Sequence, residues 1–255
     1  MIQLHNGDCL ELMKNIPDKS IDMILCDLPY GTSACKWDII IPFDKLWEQY
    51  ERIIKDNGAI VLFGQEPFSS CLRTSNLKLY KYDWVWEKSN GANFLNLNYQ
   101  PSKIHENIIV FGKGATSYSK KNNMNYFPQM EMGTPYKCTS GKQKNEYNNS
   151  SVRSPIKQSV TDNKGTRYPK SILKFNRDKT KLHPTQKPVA LLEYLIKTYT
   201  NENDLVLDNC MGSGSTGVAC VNTNRNFIGI ELNEEYFNIA KNRIEEVQND
   251  VKLFK

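Results

Sequence analysis

The chain has 255 residues, of which 39% are hydrophobic and 24% charged, enough to bury a full core and too ordered in composition for a disordered protein. The net charge of +5 is modest, the seven cysteines are scattered with no Cys-x-x-Cys, and the three histidines lie far apart, which excludes a disulfide framework and argues against a metal site. No apolar run is long enough to span a bilayer, and Met1 to Asp8 lacks the basic and apolar regions of a signal peptide, so a cytoplasmic protein with reduced thiols and no membrane partner is expected.

Taken in order, Ile2 to Leu4 reads as a short strand leading into Gly7-Asp8-Cys9, and Leu10, Leu12, Met13 and Ile16 give a helical stripe. The apolar run Ile21 to Cys26 predicts a buried strand that stops at Asp27. Asp44 is expected to cap a helix with the apolar face Leu46, Trp47, Tyr50, Ile53 and Ile54, ended by Asp56-Asn57-Gly58. Ala59 to Phe63 is a strong buried strand stopped by Gly64, and Phe68, Cys71 and Leu72 suggest another helix. Tyr82 to Trp86 and Ile108 to Phe111 read as two strands paired antiparallel. This alternation favours a layered α/β sheet.

From Gly114 to about Thr180 the texture turns polar. Thirteen Lys/Arg stand against four Asp/Glu there, a net +9, so the basic charge is concentrated in one segment. Tyr118, Tyr126, Phe127, Tyr136, Tyr147 and Tyr168 are interleaved with it. Basic residues mixed with aromatics suit a nucleic-acid surface; a solvated, partly disordered loop is the plainer alternative. Order returns near Leu182. Pro188 can open a helix with the stripe Leu191, Leu192, Leu195, Ile196 and Tyr199. Leu205 to Leu207 is a strand ending at Asp208, followed by a Gly/Ser loop and a small-residue helix around Val218. Phe227 to Ile230 is a strand ending at Glu231, and a last helix carries Tyr236, Phe237, Ile239, Ala240 and Ile244.

Two constellations carry chemistry. In Asp27-Leu28-Pro29-Tyr30 a carboxylate sits where the carboxyl end of a strand opens, the place where open α/β sheets put their ligands. Pro29 biases Leu28 towards an extended backbone, which holds the Leu28 carbonyl outward beside Asp27, and Tyr30 adds a flat face. Two acceptors and a stacking platform suit an exocyclic amino group on a flat base, although a plain strand-to-turn junction would read alike. In the second constellation, Gly212-Ser213-Gly214-Ser215-Thr216-Gly217 fits Gly-x-Gly-x-x-Gly, which also suits a dinucleotide enzyme. Here Asp208 precedes the glycines, and a carboxylate there attracts an ammonium and repels a pyrophosphate. Glu231, at the end of the next strand, can accept from both hydroxyls of a ribose. An ammonium plus a ribose points to S-adenosylmethionine.

Asp27-Leu28-Pro29-Tyr30 resembles the Asp-Pro-Pro-Tyr signature of amino-group DNA methyltransferases. Leu207 to Ser215 resembles that family's cofactor loop, usually Asp-Pro-Phe-x-Gly-Ser-Gly-Thr. His183-Pro184-Thr185-Gln186-Lys187-Pro188 is similar to its His-Pro-Thr-Gln-Lys-Pro element, and His105 to Lys113 is similar to the last strand of its catalytic half. The order, signature first and cofactor loop last, resembles the β class. The resemblance implies a seven-stranded Rossmann-like sheet with helices on both faces, circularly permuted, with 1–113 as catalytic half, 114–180 as target-recognition insertion and 181–255 as cofactor half. It implies methyl transfer to adenine N6 in double-stranded DNA after base flipping. Asp27, Leu28, Pro29 and Tyr30 would be catalytic. Asp8 and Cys9 would lie near the cofactor's adenine, and His183, Pro184, Thr185 and Lys187 at its methionine end. Asp208, Cys210, Gly212, Ser213, Gly214, Ser215, Thr216, Glu231 and Leu232 would complete the S-adenosylmethionine site. A homodimer and a cognate restriction endonuclease are partners the resemblance allows. Cytosine-N4 methylation and a DNA-binding homologue without turnover are the alternatives; relatives with the former activity usually carry Ser where this chain has Asp27. Leu28 for Pro, Asn209-Cys210 for Pro-Phe and Ser215 for Thr depart from the pattern without removing a carboxylate or a loop glycine.

Overall fold

The computed structural model describes residues 1–32, 38–91, 93–118, 120–140, 159–178 and 186–253. They form two compact units, one of 1–127 with 171–255 and a smaller one of 128–170.

The larger unit holds, in chain order, β1 (Ile2–Asn6), α1 (Cys9–Met13), β2 (Ile21–Cys26), α2 (Phe43–Ile53), β3 (Ile54–Gly64), α3 (Phe68–Ser75), β4 (Tyr80–Glu87) and β5 (His105–Phe111). The smaller unit supplies β6 (Glu131–Met132), β7 (Tyr136–Ser140), β8 (Ser159–Asn163) and β9 (Thr166–Arg167). The larger unit resumes with β10 (Ile172–Lys174), α4 (Val189–Tyr199), β11 (Leu205–Asp208), α5 (Ser215–Asn222), β12 (Asn226–Glu231) and α6 (Glu234–Leu253).

The expected α/β sheet is present, with eight strands rather than seven, in the order β1-β12-β11-β2-β3-β5-β4-β10. Only β5 runs antiparallel to its neighbours, β3 and β4. The eighth strand, β10, pairs parallel with the edge strand β4. It came from the stretch expected to belong to the polar insertion, and its three residues bury only Leu173, too little apolar period to read. Met124, from the other end of that stretch, is also buried in the main core.

Both sheet faces are covered, which is why residues 23–26 of β2 and 59–63 of β3 read as unbroken apolar runs. Alternate residues of β2 divide between two cores. Met23 and Leu25 pack with Leu191 and Leu195 of α4 and with Ala219 of α5. Ile24 and Cys26 pack with Met13 of α1, with Leu46 and Tyr50 of α2 and with Leu72 of α3. The junction after α2 differs from expectation. Ile54 is already extended, so β3 starts at once and Asp56-Asn57-Gly58 lies in its irregular first half. Asp44 sits in the first turn of α2, whose cap position is Pro42.

The smaller unit consists of two antiparallel pairs, β6 with β9 and β7 with β8. The Arg167 guanidinium lies over the Tyr136 ring, 4.7 Å from its centroid, and donates to Asn163 Oδ1 at 2.5 Å. Asp162 faces Lys164 at 2.9 Å and Lys137 at 3.7 Å. Among the described residues no helix is long and apolar enough to cross a membrane.

Candidate active site

β12, β11 and β2 are parallel neighbours, so Glu231, Asp208 and Asp27 come together at three adjacent strand ends. A cavity of about 800 Å³ opens there and is lined by all three. The chain order that separates Asp27 from Asp208 disappears in space, because β2 and β11 lie side by side.

Asp27 follows β2 directly. Tyr30 folds back and its hydroxyl donates to Asp27 Oδ1 at 2.6 Å. The turn is held from below: Leu28 is buried in the core, Gly31 adopts a φ of +66°, and the Asp38 carboxylate accepts from the Gly31 and Thr32 N–H groups at 2.8 and 2.9 Å. Phe68 of α3 stacks on the Tyr30 ring with centroids 4.9 Å apart, which fixes the ring and covers one of its faces. Burial pushes the Asp27 carboxyl up, against the pull of the Lys187 ammonium. Burial and the Asp27 carboxylate both push the Tyr30 hydroxyl well above its ordinary range, so it stays a donor.

The second constellation is built around Asp208, only 4% exposed. Thr216 Oγ1 donates to its Oδ2 at 2.6 Å and the Cys210 N–H to its Oδ1 at 3.1 Å. Burial nevertheless pushes its carboxyl up to about 6. Glu231 takes the Gly212 N–H on Oε2 and the Asn233 N–H on Oε1, each at 2.9 Å; each oxygen keeps one further lone pair for a ligand hydroxyl. Arg243 of α6 ties down the glycine loop, donating to Ser213 O at 3.1 Å and to Ser215 Oγ at 2.8 Å.

Of the residues expected to bind cofactor, Asp8, Cys9, Lys187, Asp208, Cys210, Gly212, Ser213, Ser215, Thr216, Glu231 and Leu232 line the cavity, as do Asp27, Leu28, Pro29 and Tyr30. Gly214 does not: it precedes α5 with φ +79° and packs against Ala240. The Asp8 carboxylate caps α1, accepting from Leu10 N at 2.7 Å. The neighbouring Cys210 thiol lowers the Cys9 pKa. His183, Pro184 and Thr185 lie outside the described residues.

Sequence reasoning missed a buried charge cluster behind Asp27. Lys187 donates to Asp27 Oδ2 and lies 3.3 Å from Glu106 Oε2. Glu106 is paired in turn with Lys88 and accepts from Gln65 Nε2 at 2.9 Å. Burial alone would raise the Glu106 carboxyl, but Lys187 and Lys88 together hold it down to about 2. Lys187 and Glu106 fall in stretches already singled out, but no local pattern pairs them with each other, with Asp27 or with Lys88.

Residues 21–242 match the model of a family described as DNA methylase. The chain is 29% identical over 254 residues to DNA adenine methyltransferase YhdJ of Escherichia coli (strain K12), covering 94% of this chain and 81% of that protein. It is 29% identical over 259 residues to Type II methyltransferase M.HpaI of Haemophilus parainfluenzae, covering 94% and 73%. The crystal structure of an M1.HpyAVI–SAM complex is similar at a TM-score of 0.59 and 28% identity, over 95% of this chain and 100% of that one. PvuII DNA methyltransferase (cytosine-N4-specific) shares the fold, with a TM-score of 0.65 at 16% identity over 97% and 91%.

Proposed function

This chain belongs to the DNA methylase family, and from that premise we propose that it transfers a methyl group from S-adenosylmethionine to adenine N6 in duplex DNA. The observation that carries the reading is the Asp27–Tyr30 turn at the mouth of the cavity it shares with Asp208 and Glu231. The residues fit the cofactor. A cavity of about 800 Å³ is in the range of small-molecule sites. Asp208 offers a buried carboxylate to an ammonium, and Glu231 offers paired acceptors to a ribose. When bound, the sulfonium supplies an activated methyl group.

The protein's part is to prepare the nucleophile. The adenine amino lone pair is delocalised into the ring. Asp27 and the Leu28 carbonyl accept its two hydrogens and so localise the pair on nitrogen. A carboxyl pushed up by burial is a stronger acceptor than a solvated one. The base is out of reach inside a stacked helix and must be flipped into the site. The Tyr30 ring, braced by Phe68, offers a rigid wall to it. Preorganised position and charge account for most of the remaining acceleration. The segment 114–180 serves as the target-recognition insertion, a reading supported by its net charge of +9.

Asp27, where N4-cytosine relatives usually have Ser, favours adenine. The test is incubation with unmethylated duplex DNA and labelled cofactor, then digestion to nucleosides. Label in N6-methyladenine is expected. Label in N4-methylcytosine, or no label with an intact fold, overturns the reading.

A further inference from the structure

The cluster behind Asp27 holds an acceptor that is ion-paired but takes no hydrogen bond from the described residues. Glu106 Oε1 accepts from Lys88 and from Gln65. Glu106 Oε2 is buried and receives no hydrogen bond from any described residue, a costly state for a carboxylate oxygen. It lies 3.3 Å from the Lys187 ammonium, which is itself bonded to Asp27 Oδ2. Asp27 is thus engaged on both oxygens, by Tyr30 on one and Lys187 on the other. A spare lone pair on Asp27 can still meet an amino hydrogen. An ammonium left in place, however, neutralises the charge that makes the carboxylate a useful acceptor.

We propose that Glu106 is a positioning residue whose Oε2 takes over the Lys187 ammonium when the target amino group binds Asp27. This rests on the adenine-N6 reading above. The shift needed is small: the ammonium is already 3.3 Å from Oε2, so a reorientation that aligns an N–H on that oxygen and closes the pair to about 2.7–2.9 Å suffices. Lys187 stays paired throughout, so no bare charge is left in a buried site, where that is expensive. Lys88 and Gln65 anchor the other oxygen of Glu106 and keep Oε2 aimed at Lys187.

The test is Glu106→Gln, which keeps the shape and removes the charge. Lys187 then has only Asp27 as a charged partner, and single-turnover methylation at neutral pH should slow by about tenfold or more. Cofactor affinity by calorimetry should hold, while the melting temperature falls because the buried Lys88 loses its charged partner. The pH profile separates this role from a structural one. Lys187 faces Asp27 from the end of β2, Tyr30 from the turn that follows and Glu106 from β5, with Lys88 and, beyond it, Arg177 on the cationic side. With Glu106 neutral, Lys187 loses its proton at lower pH and releases Asp27, so the variant should regain rate as pH rises. The wild type, held charged by two carboxylates, should not. Glu106→Asp should recover most of the rate. If Glu106→Gln fails to fold because Lys88 is left unpaired, Glu106→Gln with Lys88→Met removes both charges and carries the same expectation. A folded variant as fast as wild type, or a slow one whose pH profile matches wild type, overturns the inference. A wild-type protein that does not methylate adenine overturns the reading beneath it instead.

Discussion

Asp208 is a buried acid of the cavity, and the direction of its shift makes a two-part prediction. Burial raises its carboxyl to about 6, against the Thr216 hydroxyl and the Cys210 N–H, from an ordinary 3.8. The native state therefore binds this proton more tightly than the unfolded chain. The stabilisation is full below about pH 3.8 and is lost as pH rises through 6, an amount of about 3 kcal/mol at one pKa unit per 1.36 kcal/mol. Asp208→Asn cannot titrate. In urea unfolding of the cofactor-free protein it should gain about that much relative to wild type between about pH 3 and pH 8. Cofactor binding should respond the opposite way. Wild-type affinity should weaken as pH falls through 6, because a neutral carboxyl no longer attracts an ammonium, whereas Asp208→Asn should bind weakly at both. Calorimetry at pH 5 and 7.5 checks it, and a wild-type affinity flat across that range would place the ammonium elsewhere. At the other constellation, Asp27 is expected to act through its carboxylate and Leu28 through its main-chain oxygen. Asp27→Ala should cut turnover by orders of magnitude with near-normal cofactor affinity. Leu28→Pro keeps the carbonyl and should stay within about tenfold, or 1.4 kcal/mol of barrier, with some loss of stability from the buried Leu28 side chain. Single-turnover assays with folding checked by melting compare the two; a fully active Asp27→Ala protein would mean the wrong atoms were assigned.

Among the elements, the loop between β11 and α5 divides its glycines between ligand and packing. Gly212 lines the cavity, whereas Gly214 has a φ of +79° and a Cβ there would lie 2.9 Å from the Ala240 Cβ. Gly214→Ala should therefore destabilise the protein by about 1–3 kcal/mol through strain. Cofactor affinity of the folded fraction should stay within about tenfold. Urea unfolding and calorimetry together decide it, and unchanged stability with lost affinity would place Gly214 at the ligand. A motif reading cannot make this division, since Gly-x-Gly-x-x-Gly does not say which glycine meets α6. What the sequence made legible were the strand portions buried on both faces, residues 23–26 of β2, 59–63 of β3, β11 and β12, because each is a mainly apolar run stopped by a polar residue or a glycine. The strand-end acids Asp27, Asp208 and Glu231 follow from those stops. β10 was not legible, having one buried residue in three. The partnership of Lys187 with Asp27 spans 160 positions, and local pattern carries no trace of a contact made only by the stacking of β2, β5 and the chain before α4.

At the scale of the whole molecule, charge is divided along the chain. Residues 114–180 carry +9 of a total of +5, so the rest of the protein is net negative and is repelled by a phosphate backbone. If the chain acts on duplex DNA as proposed, the insertion is the expected source of its affinity. Phosphate neutralisation releases counterions, so affinity should fall linearly in log–log form with salt, by about 0.9 in slope for each contact. Lys120 and Lys121 are exposed; Lys142 and Lys144 belong to the same basic stretch but lie outside the described residues. Reversing all four to Glu should flatten the slope by roughly 3–4 if each meets a phosphate. Substitution of the exposed Lys120 and Lys121 should leave the melting temperature nearly unaltered. Cofactor affinity should also hold, because neither Lys120 nor Lys121 lines the cavity. A fall in DNA affinity with an unaltered slope would mean that a shape change was responsible rather than lost charge. An unaltered slope with unaltered affinity would move the DNA to another surface and leave the segment a solvated loop, its aromatics serving local contacts such as that of Tyr136 with Arg167.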